Sequence, residues 1–492
     1  MSKSRKIAVI GGGISGLTSA LILARNGYRV TLVEKSPRLG QTMRGFSRQG
    51  VYFDTGLHYT GGLAEGGIVS RYLRYLGING LDTAPFCRDG FDEIRFADTD
   101  LTVRLPVGCE AMGDALAARF PGQEKSIRAY IRAAKADFDS SSLLNFFFSF
   151  QDTPRELSPV SLSDYLKKLT DDAHLQAVLS VHSLLYGVSP HEIPFMQHAY
   201  VSASYFDSVH NFTGGGRALV EAMEQKLTEL GVTVILGRAV KRLVCTDKKR
   251  LIALELDDAA LLETDAAICT CHPAALADMG QDAFRPSYLE RLRALEETSS
   301  AFMLFGIADK KPECLEGRNL FLCRDADISR AFTPGTKPDN GPFFVAACPQ
   351  SGDPGGRAGI VVVGPGFFDD MRPWTDSTHG NRPESYKAFK ALIMQRIENA
   401  VQELCPDLAA VNFVEGATPL TMRDFLHAPN GGLYGCKHTV NRFNPLPVTR
   451  ISNLLLAGQS VIVPGLMGAM ISAFLACGFL LGDSLHKDAA CS

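Results

Sequence analysis

KIAVIGGGISGLTSALILARNGYRVTLVEK, Lys6 to Lys35, decides how this chain folds. Ile7, Ala8, Val9 and Ile10 make a short apolar run suited to a strand covered on both faces, and Gly11, Gly13 and Gly16 follow it at GxGxxG spacing. Gly11 permits a sharp exit from the strand, Gly13 lets the backbone approach a pyrophosphate with no Cβ in the way, and Gly16 lets the next helix pack closely on the strand. That helix runs from Ile14 to about Asn26, with Leu17, Ala20, Leu21 and Ala24 on one side, and Gly27 ends it. Its first N–H groups, at Ile14 and Ser15, face the phosphates. Val30, Leu32 and Val33 rebuild a strand that delivers Glu34, where a carboxylate accepts both hydroxyls of an adenosine ribose and repels a 2′-phosphate. Flanking strand, helix, second strand and terminal acid agree, so the stretch reads as a dinucleotide-binding unit in which NADP is disfavoured.

With 492 residues the chain exceeds one ordinary domain, and 46% hydrophobic against 21% charged residues gives it a sizeable core. A net charge of −3 with no long basic run gives no reason to expect nucleic acid as a partner. The twelve cysteines are dispersed and often sit in apolar runs, as Cys269 and Cys477 do, which suits reduced core thiols. Cys269, Cys271 and His272 lie close enough to suggest a metal, but CxCH has no zinc spacing and reads as a buried strand end, so no metal is expected. The polar N-terminus runs straight into the first strand without an apolar leader, which points to a cytoplasmic protein. Asn453 to Gly482 is uncharged over a bilayer-crossing length, yet Gly458, Gln459, Pro464, Gly465 and Gly468 divide it into a strand, a loop and a helix. Phe146, Phe147, Phe148 and Phe150 leave two readings open: a core or inter-domain contact, or a greasy substrate entrance with shallow membrane contact.

Two short strands meeting near Gln49 and Gly50 end in FDTGLHYTGG, Phe53 to Gly62. With LLYGVSPHEIPF (Leu184 to Phe195), GGLYGCKHTVNRFNP (Gly431 to Pro445) and NLLLAGQSVIVPGLMGAMISAFLACG near the end, this string resembles the FAD-dependent phytoene desaturase, carotenoid isomerase and retinol saturase family, a branch of the amine oxidase flavoprotein superfamily. Gln41 stands where that superfamily has a second glycine, and Gly45 where a Ser or Thr is common. The resemblance implies an α/β fold: a Rossmann-like FAD-binding domain with a parallel sheet, made of 1–65, 210–297 and 410–486, plus a discontinuous α+β substrate domain from 66–209 and 298–409. It implies FAD held by Gly11, Gly13, Ile14, Ser15, Gly16, Glu34, Lys35 and Arg44, by the backbone of Val240 at the adenine, and by Gly458, Gln459 and Gly468, where a second glycine-relieved turn presents a helix N-terminus. Thr213 to Arg217 supplies a glycine triplet on the flavin side.

Elsewhere the pattern gives helices over most of 66–185 with a hairpin from Phe91 to Val107, a sparsely charged helix from Pro194 to about Val209, β runs between Thr298 and Val363, and a long helix from Pro383 to Leu404. The implied chemistry is hydride transfer at flavin N5 on a hydrophobic polyene or isoprenoid: saturation, desaturation or isomerisation of a C=C bond. The catalytic residues are unassigned; His58, Tyr59, Tyr434 and His438 are candidates by their place beside the flavin segments, against the plainer reading that each is a satisfied packing residue. No second GxGxxG module is present for a nicotinamide coenzyme, which leaves a quinone, a protein or oxygen to exchange electrons. Two other readings stand beside this one. An amine oxidase would need an aromatic cage, and Trp374 is the only tryptophan. A binding protein of the GDP-dissociation inhibitor type would not need the complete pyrophosphate turn kept here.

Overall fold

The computed structural model describes residues 5–141, 160–247, 250–349, 356–440, 442, 444–482 and 485. The phenylalanines at 146–148 and 150 lie outside them.

The opening stretch folds as strand β1 (Lys6–Ile10), helix α1 (Ile14–Arg25) and strand β2 (Arg29–Glu34). β1 pairs in parallel with β2 on one side and with Ala266–Cys269 on the other. Leu454–Leu456 extends the sheet beyond Ala266–Cys269, and Thr233–Leu236 beyond β2, so all five strands run one way. The apolar run in β1 has a direct cause. Ile7 and Val9 pack under α1 and the C-terminal helix Gly465–Leu481, whereas Ala8 and Ile10 face a core shared with the strands Val240–Thr246 and Arg250–Leu256 and the helices Pro273–Met279 and Pro286–Arg293. A strand covered on both sides needs apolar residues at every position.

The uncharged segment after Asn453 is a core helix preceded by a buried strand. Every residue from Leu466 to Gly478 is buried, Phe474 stacks on Tyr72, and Ser15 Oγ donates to the Ala469 carbonyl at 2.8 Å. Among the described residues no helix is long and apolar enough to cross a membrane.

The second unit is a seven-stranded sheet in the order Asn412–Ala417, Ser300–Ala308, Ala358–Gly366, Phe343–Ala347, Asn319–Cys323, Asp92–Phe96, Leu101–Leu105. All neighbours are antiparallel except Asn319–Cys323 with Asp92–Phe96. The amphipathic helix Glu384–Leu404 buries Ile393, Ile397 and Val401 against one face, and the helices between residues 109 and 207 cover much of the other. Asn412–Ala417 pairs with Ser300–Ala308 and so lies in this sheet, although it falls in the segment beginning at 410. His210–Phe212 pairs with Thr83–Pro85 in a separate two-stranded ribbon, with Phe212 in the core around the parallel sheet. The helix expected over 194–209 is two helices, Phe195–Ser202 and Ser204–Asp207, separated at Ala203.

Candidate active site

At the carboxyl end of β1 the chain turns at Gly11, whose φ of +105° is left-handed territory, and a Cβ there would lie 2.5 Å from Thr270 Oγ1. A Cβ on Gly16 would lie 1.9 Å from the Gly11 carbonyl oxygen, so these two glycines are fixed by packing inside the protein. Gly13 differs: a Cβ there would meet nothing within 4 Å, and its extended backbone (φ −76°, ψ −178°) suits any residue. The space over Gly13 is an open cradle at the N-terminus of α1, where no side chain caps the helix and no acidic residue occupies the first turn. A helix start left in that state favours an anion.

Glu34 ends β2 beside this cradle. Its carboxylate accepts from the Gly12 N–H at 2.5 Å and from the Ser36 N–H at 2.7 Å, which fixes its orientation. The Arg238 N–H donates to the Glu34 carbonyl and the Gly237 N–H to the Ser36 carbonyl, folding the loop that leads to Val240 over the end of β2. Lys35 follows, its ammonium pKa lowered by burial, on the wall of a wide cleft shared with His379, Arg423 and His427. Arg44 is turned elsewhere: its guanidinium donates to the Leu39 carbonyl and pairs with Glu224 and Glu221 on the helix Gly215–Glu229.

The C-terminal loop converges on the same end of the sheet. Gly458 follows Leu454–Leu456 with a φ of +122°, and its N–H donates to Ser472 Oγ at 2.9 Å. The Gln459 carbonyl accepts from His438 Nε2 at 3.1 Å. Gly468 lets the C-terminal helix close on its own loop, since a Cβ there would sit 2.0 Å from the Val463 carbonyl oxygen. Because Ser15 bonds Ala469, the first turns of α1 and of the C-terminal helix lie side by side. Asp54, in the FDTG string, lies below the third glycine cluster: Oδ1 accepts from the Tyr52 hydroxyl at 2.7 Å and the Gly216 N–H at 3.2 Å, while buried Oδ2 has no partner. Burial pushes this carboxyl up to about 7.

Between the C-terminal loop and the helices of the second unit lies a small void of about 10 Å³, room for about one water molecule. Its wall includes Tyr186, Gln197, Thr298, Cys436, His438 and Val463. Desolvation holds the His438 imidazole down to about 4, so this wall carries no charge at neutral pH. Of the other candidates, His58 lies against the Phe344 ring and is also held down to about 4 by burial. The Tyr434 ring abuts Gly187, and burial pushes its phenol up to about 12. Tyr59 stacks on Tyr205, and its hydroxyl donates to Asp92 at 2.9 Å. Trp374 packs on Phe389 and Tyr386 against the helix Glu384–Leu404. His272 of the CxCH string accepts from the Ala274 N–H as a helix cap. Among the described residues the one cluster of metal-ligating groups is Cys314, Cys405 and Asp407, and there the Arg95 guanidinium already stands 3.3 Å from Cys405 Sγ.

Sequence reasoning passed over a buried polar chain behind Tyr186: His198, Ser202, His182 and Asp92. Its members are far apart in the sequence, and the only local signal is His198 with Ser202 at i,i+4 on one helix.

The family model described as flavin containing amine oxidoreductase matches residues 14–478. The all-trans-retinol 13,14-reductase of Danio rerio is 26% identical over 98% of this chain and 86% of its own length. A 4,4′-diapophytoene desaturase (4,4′-diaponeurosporene-forming) of Staphylococcus haemolyticus is 23% identical over 92% of this chain and 94% of its own. Among solved structures, an oxidoreductase from Methanosarcina mazei superposes with a TM-score of 0.69 over 96% of this chain and 99% of that one at 15% identity, a likeness of fold.

Proposed function

We propose that this chain, which belongs to the flavin-containing amine oxidoreductase family, saturates, desaturates or isomerises a C=C bond of a hydrophobic polyene or isoprenoid. It is an FAD-dependent oxidoreductase. The residues present fit that cofactor. Gly11, Gly13 and Gly16, with the Ile14 and Ser15 amides, would hold the pyrophosphate, and the open cradle over Gly13 is the observation that supports this. Glu34 would take the ribose, with Lys35 at the rim, and the Val240 backbone the adenine. Gly458, Gln459 and Gly468 would hold the ring end. Arg44, through its pairs with Glu221 and Glu224, would brace the loop against the helix Gly215–Glu229 rather than bind phosphate directly. These placements divide the chain into a cofactor unit around the parallel sheet and a substrate unit around the seven-stranded sheet.

When bound, FAD supplies hydride transfer. The chain supplies a dry, uncharged wall. The observation that supports the substrate class is the apolar, uncharged lining beside the C-terminal loop, where Val188, Ile193, Val201, Val463 and Pro464 gather with a neutral His438 around a void the size of about one water molecule. An ammonium substrate would lose its hydration there without meeting a carboxylate. That the relatives are named for a retinol reductase and a diapophytoene desaturase supports the same class. The test is anaerobic incubation of flavin-loaded protein, oxidised and reduced, with all-trans polyenes and with simple amines. Conversion of a polyene supports the reading. Hydrogen peroxide release with amines in air, and no change in any polyene, overturns it.

A further inference from the structure

Two cysteines far apart in the sequence meet in the second unit. Cys314 sits in the single turn Glu313–Leu315, which leads toward the strand Asn319–Cys323. Cys405 caps the C-terminal end of the helix Glu384–Leu404, its N–H donating to the Val401 carbonyl at 2.9 Å. Both belong to the core between that helix and the seven-stranded sheet. Their Sγ atoms and an Asp407 carboxylate oxygen all lie within 4.8 Å of one another, close enough for side-chain rotation to bring the sulfurs to bonding distance.

The surroundings make the two sulfurs unequal. Arg95, on the strand Asp92–Phe96, donates from its guanidinium to Cys405 Sγ at 3.3 Å. Glu93 does not cancel that charge, because its one carboxylate is shared among Arg95 at 2.7 Å, Arg104 at 2.7 Å and Arg318 at 3.3 Å. Asp407 stands 3.7 Å from Arg95, but its side chain is exposed and screened by water. The Cys314 thiol and the Asp407 N–H also donate to Cys405, so Cys405 is the sulfur that favours the thiolate while Cys314 keeps its proton. One sulfur is prepared to attack, and the other to resolve the product. Cys405 is fully buried and Cys314 is 8% exposed, so only a small oxidant has access. A metal fits this cluster less well. Two thiols and a carboxylate leave a tetrahedral ion one ligand short, and the Arg95 cation already stands on one of the sulfurs. Cys269 and Cys271, the other hydrogen-bonded pair, are two positions apart, and joining them would tie no two elements together.

We propose that Cys314 and Cys405 form a redox-sensitive modification site, at which hydrogen peroxide joins them in a disulfide that staples the helix Glu384–Leu404 to the turn before the strand Asn319–Cys323. The Cys405 thiolate attacks one peroxide oxygen and the O–O bond breaks. The departing hydroxide takes up the proton that Cys405 had released and leaves as water. Cys314 then attacks the sulfur of the Cys405 sulfenic acid and gives up its own proton; the S–O bond breaks, and a second water leaves. Two thiols and one peroxide become one disulfide and two waters, the sulfurs losing the two electrons that the O–O bond gains. A small dithiol reverses the change by thiol–disulfide exchange. The site works independently of the flavin chemistry and of the substrate class.

The test uses flavin-loaded full-length protein, reduced with a phosphine, freed of it, exposed to graded hydrogen peroxide and then alkylated in denaturant. Mass spectrometry of the digest should show a Cys314–Cys405 cross-linked peptide at the lowest effective dose, lost again on treatment with dithiothreitol. Cys314→Ser removes the resolving thiol, so Cys405 should then stay a sulfenic acid that dimedone traps in denaturant. Arg95→Gln should slow formation of the cross-link about tenfold. The cross-linked parent should melt about 2–8 °C above the reduced one, a difference that Cys314→Ser abolishes. A digest in which other cysteines oxidise and the Cys314–Cys405 peptide never forms overturns the proposal, as does a Cys314→Ser protein with no dimedone adduct at Cys405. Equal melting temperatures overturn the staple. Stoichiometric zinc in the purified parent that Cys314→Ser abolishes would make the cluster a metal site instead.

Discussion

Gly13→Ala separates cofactor binding from folding because the two depend on different neighbours. The new methyl would touch no protein atom within 4 Å, and the backbone there is already extended with negative φ. In flavin-free protein the entropic gain of Gly→Ala in the unfolded chain, about 0.4–1 kcal/mol, and the poorer helix cap offered by Ala nearly cancel. Stability should stay within about 1 kcal/mol of the parent. The methyl does occupy the cradle in which the pyrophosphate would lie against the backbone. Forcing a methyl into a filled contact costs about 1–3 kcal/mol, so the FAD dissociation constant should rise about tenfold to 10²-fold. Thermal melts of the flavin-free proteins and quenching of flavin fluorescence on binding measure the two quantities separately. Gly16→Ala is the contrast, with its Cβ placed 1.9 Å from the Gly11 oxygen, and it should fail to fold even without flavin. Unchanged flavin affinity in a stably folded Gly13→Ala protein would refute the reasoning.

Other expectations follow from the same geometry. Glu34→Ala removes a carboxylate oriented by the Gly12 and Ser36 amides, and loss of its charge-assisted bonds, about 1.5–3 kcal/mol, should weaken FAD binding in an equilibrium titration; equal dissociation constants would remove Glu34 from the ribose site. Asp54 titrates at about 7 in the fold, above the usual carboxylate value, so the folded state holds the extra proton and stability declines as pH rises from about 4 through 7. Its ionisation at higher pH costs roughly 4 kcal/mol, and Asp54→Asn should flatten that part of the melting-temperature profile; parallel profiles for parent and variant would contradict this. Phe474→Ala, in the core helix and stacked on Tyr72 with ring centroids 4.0 Å apart, should cost about 3–5 kcal/mol in denaturant unfolding. A loss below 1 kcal/mol would mean that the helix is not packed as described.

The parallel sheet was legible because its signal is local. A strand buried on both faces must be apolar throughout, Gly11 turns the chain with a left-handed φ, and Gly16 answers to a clash with the Gly11 oxygen nearby in the sequence. The Asn412–Ala417 strand was not legible as part of the second sheet, because its membership depends on a partner more than a hundred positions earlier. The break at Ala203 was hidden by a run with no Gly or Pro to mark it. The candidate site shows the same division. Glu34 is announced by its offset from the glycines, whereas Tyr186, His198, His182 and Asp92 become one chain only when the helices between residues 162 and 207 pack on the Asp92–Phe96 strand. Tyr59 was singled out for its place in FDTGLHY, and its hydroxyl serves the far end of that chain rather than the cavity.

The most direct measurement is chromatography of polyenes after anaerobic incubation with the purified, flavin-loaded protein in its oxidised and reduced states. The account predicts a yellow protein that converts an all-trans polyene to a product differing by two hydrogens or by geometry. A protein that retains no flavin after reconstitution, or that leaves every polyene unchanged while oxidising amines, would contradict it.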